Sequence, residues 1–219
     1  MIQTDTDVCN LAIGRIGGDP IESLSEDSPL GAYCQANYPQ KRDWLLGKHR
    51  WNFSTALAQL AAVTPAAGQP LPYAFVKPGD MIGAGHAYRD GPAESANNVR
   101  VTMNANGLYS TSPVVWIEYS ARVAEASWPV WFVELVRIAF AADLAMHVQN
   151  RGLAADLHEL AFGPPGMEGQ GGLYGDARNE DARNAPQRQL FYDSSGPLVD
   201  ARFNGPFGGG VRIGGFINF

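Results

Sequence analysis

Charge is scarce in this chain. Only 17% of its 219 residues are Asp, Glu, Lys or Arg, against roughly 25% in ordinary globular domains. So thinly charged a surface suits a protein whose exterior is largely covered by partner chains. With 25 Gly and 15 Pro, it also suits long segments outside regular structure. Lysine is scarcer still, since Lys41, Lys48 and Lys77 are the only three among sixteen basic residues. Arginine is favoured in planar interface pairs, and GC-rich codon usage gives the same bias. The net charge of −6 argues against sequence-specific nucleic-acid binding, which needs cations to neutralise phosphates. Two cysteines, Cys9 and Cys34, are too few for a disulfide framework and match no metal spacing; both are expected as core thiols. No apolar run reaches the roughly 18 uncharged residues of a membrane span. The start MIQTDTDVCN lacks a basic region followed by an apolar run, so no secretory leader is expected. Synthesis in a reducing cytoplasm follows.

Reactive constellations are also missing. The glycine-rich segment 208–215 lacks the Gly-Lys-Ser/Thr of a phosphate loop. His49, His86, His147 and His158 are scattered. Asp7, Glu22, Glu26 and Asp27 fall at helix starts or in loops, where acids complement the helix dipole. Ser110, Ser112, Ser194 and Ser195 sit in turn-like surroundings with no elbow motif or neighbouring base. Trp44, Trp51, Trp116, Trp128 and Trp131 are expected as core or interface anchors, with a sugar-binding platform as the alternative. No catalytic, cofactor-binding or metal-binding residue is therefore expected, and the chain reads as non-enzymatic.

What is present is an ordered alternation of patterns. Thr4 or Asp5 caps a helix with Val8, Leu11, Ala12 and Ile16 at helical spacing, stopped by Gly17 and Gly18. Ser28-Pro29 opens a second helix carrying Leu30, Tyr33, Cys34, Tyr38, Leu45 and Leu46. Pro39 is expected to kink or split it near 35–38. From His49, alternating Trp51, Phe53, Thr55 and Leu57 predict a strand. Further strands follow at 73–76, in a hairpin 98–111 turning at 104–107, and at 114–119. Ser127-Trp128-Pro129 then introduces a long buried helix, interrupted at Arg151-Gly152 and ended at 163–166. Residues 173–185 predict an exposed helix with Asp176, Arg178, Glu180, Asp181 and Arg183 on its wet faces. The last segment, 186–219, has no helical period, yet apolar side chains punctuate its glycines. It has the composition of an arm that folds on docking.

The expected fold class is α+β: a helical bundle built from 1–48 and 127–185, a β-rich insert at 49–126, and an extended docking tail at 186–219. Interface contacts are expected from Phe203, Phe207, Phe216 and Phe219 in the tail and from Arg178 and Arg183.

The segments Cys9-Asn10-Leu11-Ala12-Ile13-Gly14-Arg15-Ile16-Gly17, Tyr38-Pro39 with Arg42-Asp43-Trp44-Leu45-Leu46, and Trp51-Asn52-Phe53 occur in that order. Tyr73-Ala74-Phe75 with Pro78 and Asp80, Glu118-Tyr119, and Phe132 through Leu144-Ala145 follow. Together they resemble the tail tubular protein A, or head-to-tail adaptor, family of short-tailed bacteriophages over about residues 5–185. The resemblance implies a virion protein made in the host cytoplasm. It implies a ring of about twelve copies between portal and tail nozzle, through which DNA passes without sequence-specific binding, and no active site or membrane anchor. The glycine-rich 163–172 and the aromatic tail depart from the family pattern. A head-completion connector of a long-tailed phage or phage-like particle, a tail-associated carbohydrate-binding module and a small hydrolase are the alternatives. With no coiled-coil heptad in view, the free subunit is expected to be monomeric until a partner templates the ring.

Overall fold

Thr4 starts the first helix by a reciprocal cap. Its hydroxyl accepts from the Asp7 amide at 3.2 Å while the Asp7 carboxylate accepts from the Thr4 amide at 3.1 Å. A computed structural model describes residues 4–65, 71–93, 96–104, 107–166 and 171–184. It contains five α-helices and two antiparallel sheets; the tail 186–219, with Phe203, Phe207, Phe216 and Phe219, lies outside the described residues.

Helix α1 (Asp5–Arg15) buries Val8, Cys9, Ala12 and Ile13. The expected stripe is thus rotated by one residue, and Leu11 is 39% exposed. Ser28 caps α2 (Pro29–Lys48), its hydroxyl accepting from the Gly31 amide. Pro39 does not split this helix, which runs unbroken through it. The buried side of α2 carries Cys34, Tyr38, Leu45 and Leu46. Cys9 and Cys34 are free and buried.

The strand expected from His49 begins later. Asn52–Ser54 form a 3-10 turn, and β1 (Thr55–Gln59) starts only at Thr55. Alternation at 51 and 53 misleads here, because both aromatic rings turn toward the helices. Strands β2 (Ala62–Val63), β3 (Tyr73–Phe75), β4 (Met81–Arg89), β5 (Val101–Asn104), β6 (Gly107–Ser110) and β7 (Trp116–Ala121) follow. One sheet has the order β1-β7-β4 and the other β2-β3-β6-β5. The expected hairpin is β5 with β6, paired from Val101 opposite Ser110 to Asn104 opposite Gly107. Strand β7 is the centre of its sheet, and β4 slips register against it between Ile82 and Ala87. That bulge explains why β4 escaped the alternation test, since Gly83 and Gly85 interrupt its pattern. Leu60, Phe75, Met81, Leu108, Val115, Ile117, Tyr119 and Ala121, from both sheets and their connections, form one hydrophobic cluster.

A second, larger cluster belongs to the helices. Helix α3 (Val130–His147) is apolar nearly all round and buries ten residues, including Phe132, Leu135, Phe140 and Leu144. Ser127 is not its cap: the Ser127 hydroxyl donates to the Ala124 carbonyl inside a short 3-10 turn. The break after α3 falls at Val148–Asn150, with Gln149 at φ 60°, not at Arg151-Gly152. Those two residues open α4 (Arg151–Phe162), capped by the Asn150 side chain. Gly163, at φ 92°, ends α4. Helix α5 (Gly172–Asn184) then packs against α3 and α4.

Polar ties join these segments. Asp43 accepts from Arg122 at 2.5 and 3.0 Å and from Arg42 at 3.0 Å, and Arg42 also reaches Glu125 at 3.3 Å. Burial alone would raise the Asp43 carboxyl, but the hydrogen bonds from Arg122 and Arg42 outweigh it and hold the group below its ordinary range. With the folded-state value below the unfolded one, the pair stabilises the fold above the unfolded carboxylate range and ceases to do so as pH falls through the folded value. Arg122→Ala is therefore expected to melt below the wild type at pH 7, with the gap closing below about pH 4. A gap that persists unchanged into strong acid would show that Asp43 does not use the pair.

Candidate functional site

A cavity of about 670 Å³ opens where the end of α2 meets α5. It is lined by His49, Arg50 and Asn52 on one side and by Gly175, Arg178, Asn179, Asp181 and Ala182 on the other. Asp181 is its anchor. This residue is 3% exposed, which overturns its expected place on a wet helix face. Its carboxylate accepts from the Asn52 amide at 3.0 Å and from Asn52 Nδ2 at 2.9 Å, while Nδ2 also donates to the Asp181 carbonyl at 3.0 Å. One asparagine thus ties α5 to the 3-10 turn. The signal was legible in part: Tyr174, Ala177 and Asp181 sit at i, i+3 and i+7, and all three are buried.

The electrostatics follow from this packing. Burial pushes the Asp181 carboxyl up from its ordinary range, against the pull of Asn52 and His49. His49 Nε2 lies 3.8 Å from Asp181 Oδ2. Burial lowers the His49 imidazole, the nearby Arg178 charge lowers it further, and Asp181 opposes both. Arg178 sits over the Tyr174 ring at 5.8 Å. Arg50 pairs with Glu118 of β7, and Arg89 reaches the same carboxylate at 3.5 Å. Such an arrangement can recognise an anion through guanidinium, imidazole and amide groups. Of the two expected interface arginines, Arg178 lines this groove, whereas Arg183 is exposed and pairs with Glu180 at 2.6 Å.

Asp181→Ala removes the acceptor for two Asn52 donors and is expected to cost about 1–3 kcal/mol. Thermal melting with and without the substitution measures it. A melting temperature within experimental error of wild type would mean that Asp181 does not hold α5 in place.

One pairing was not legible in the sequence. His86 Nε2 and Ser120 Oγ lie 2.9 Å apart, brought together by the β4 bulge. Ser120 is 2% exposed, so its hydroxyl is closed to a substrate and the contact ties β4 to β7. Burial, then Arg50, lowers the His86 imidazole. The remaining histidines are packed against rings, His147 on Tyr33 at 4.2 Å and His158 near Phe162 at 5.0 Å. Among the described residues, no group of three His, Cys, Asp or Glu side chains could hold a metal ion, and no helix is long and apolar enough to cross a membrane. No family model matches the chain, and no curated protein matches it significantly.

Proposed function

We propose that the chain is a structural virion subunit, a head-to-tail adaptor that forms a ring between portal and tail nozzle and lines the channel through which DNA leaves. In this reading the helices from the two ends of the chain form the bundle, and the sheets are an insert carried on it. One observation carries the proposal. Several of the residues on which the family resemblance rests join separate segments of the chain. Asn10 pairs with both main-chain groups of Ile21 at 2.8 and 2.9 Å. Tyr38 donates to Glu125, Asp43 accepts from Arg122, Trp51 packs on Phe132, and Asn52 holds Asp181. A family whose landmarks are scaffold contacts is one defined by architecture, as an assembly subunit is. The net charge of −6 also suits a channel wall that must not grip passing phosphates.

A head-completion connector would share this core and meet a different tail partner. The carbohydrate reading gains little: Trp116, the one tryptophan on the sheets, is partly buried, and the exposed Trp44 lies on α2 beneath Lys48, 4.3 Å from the ring.

Mixing the purified chain with the portal encoded by the same genome tests the proposal. Cryo-microscopy is expected to show a ring of about twelve copies seated on the portal, with the nozzle protein adding below it. No association at micromolar concentrations of both would overturn it. Deleting residues 187–219 is expected to leave the melting temperature of the folded core nearly unchanged and to abolish incorporation, because the tail supplies the docking phenylalanines. Normal incorporation of the truncated chain would remove the tail from the interface.

A further inference from the structure

Helices α3 and α4 leave a trough along their outer seam. A cavity of about 310 Å³ lies between Ala142 and Met146 of α3 and Ala154, Ala155 and His158 of α4. A second, of about 180 Å³, shares Ala155 and His158 with it and continues to Gly163 and Pro165 beyond the end of α4. The two are offset along α4 by roughly one helical turn, about 5–6 Å. Alanine at 142, 154 and 155 keeps the floor low, and Met146, 56% exposed, gives an apolar wall that adapts to what lies against it. Asp143 beside it is paired with Lys41 at 2.8 Å, while Arg151 and Glu159 stand exposed at the rim. Each cavity has room for a large apolar side chain, since an apolar cavity of about 150 Å³ holds a benzene ring.

The sequence holds an occupant of matching chemistry. Helix α5 ends at Asn184, and residues 185–219 follow it. At about 3.3 Å per residue they can reach roughly 110 Å, several times the radius of about 16 Å expected for a domain of this size. Their last seven residues, Ile213-Gly214-Gly215-Phe216-Ile217-Asn218-Phe219, carry no charged side chain and four large apolar ones. In an extended chain alternate residues share one side at a spacing of about 6.6 Å. Ile217 and Phe219 would then stand about as far apart as the two cavities.

We propose that residues 213–219 of one copy lie in the α3–α4 trough of a neighbouring copy, with Ile217 and Phe219 filling its two cavities. This rests on the reading of the chain as a ring subunit and names the surface on which its arm docks. Trough and arm are different surfaces, so each copy gives one and receives one. The contact is head-to-tail, and repetition with the right rotation closes a ring. The apolar burial must offset the entropy of ordering Gly214 and Gly215, which favours docking where many copies are already held side by side on the portal.

A benzophenone side chain in place of Asn218 tests it, because both anchors stay as they are. Rings are formed on the portal from equal parts of heavy-isotope and ordinary subunits, irradiated and digested. The linked peptides are expected to come from α3 and α4, and to include heavy copies joined to light ones. Independently, Ala155→Trp fills the trough from an exposed position. It is expected to keep the wild-type melting temperature while lowering both ring yield and linkage roughly tenfold or more. Rings whose links fall outside α3 and α4, and whose yield ignores Ala155→Trp, would overturn this contact and leave the adaptor reading standing. Links through the trough between copies of free protein that ignores the portal would keep the contact and overturn the adaptor reading. Links confined to single copies, heavy to heavy and light to light, would overturn the proposal. Neither rings nor links would overturn both.

Discussion

Trp51→Ala is expected to lower unfolding stability by about 3–5 kcal/mol, the range for removing a fully buried large aromatic side chain. Trp51 has no exposed surface and sits where the helices meet. Its ring is 5.2 Å from Phe132, 5.6 Å from Trp131 and 6.0 Å from Tyr174, centroid to centroid, and His49 lies edge-on at 4.7 Å. The indole N–H donates to the Leu45 carbonyl at 2.9 Å, so truncation also strips a buried acceptor of its partner. Domains of this kind are stable by only about 5–15 kcal/mol in total, and the loss would move the urea midpoint well down. Trp51→Phe separates the two contributions, since it keeps most of the volume and gives up the hydrogen bond, worth about 1 kcal/mol. A midpoint in Trp51→Ala that stays within about 1 kcal/mol of wild type would mean that the rings around it close the space, contrary to the packing described.

Leu135→Ala is expected to cost about 2–5 kcal/mol, because Leu135 is wholly enclosed within the helical cluster. Leu11→Ala is the control. At 39% exposure it should change stability by no more than about 0.5 kcal/mol. If the two substitutions prove equally costly, the α1–α3 contact has a different phase from the one seen.

That contrast shows what the sequence could and could not reveal. Apolar spacing in residues 5–16 announced a helix, because period 3.6 survives any small error of phase. It did not reveal which stripe is buried. Leu11 and Ile16 compete with Cys9 and Ile13 for the core on pattern alone, and only the approach of α3 decides between them. Caps were legible at Thr4 and Ser28 because their partners are three residues away. The cap at Asn150 was hidden by Arg151-Gly152, whose glycine looked like the break. Asp181 was missed for a different reason. Its partner Asn52 lies 129 residues away, and although Asp181 falls on the stripe of Tyr174 and Ala177, the charged neighbours Arg178, Glu180 and Arg183 mask that phase. The groove inherits this illegibility, since it is made by two segments that meet only in the folded chain. The Ser120–His86 tie likewise depends on a bulge that glycines conceal.

Gly163 and Gly172 bring the chain back on itself. A Cβ at 172 would stand 2.7 Å from both the Gly163 amide nitrogen and the Leu160 carbonyl oxygen, and Gly172 holds φ 62°. The main chain therefore enters and leaves residues 164–171 at one point, and α4 and α5 are joined through that crossing, not through what lies between. Lengthening such a segment costs only about 0.6 kcal/mol for each doubling, provided both glycines stay. The crossing, and not the length of the segment, therefore sets where α5 begins: a side chain at 172 would press on the end of α4, so Gly172→Ala is expected to disturb the tie between Asp181 and Asn52 that α5 carries.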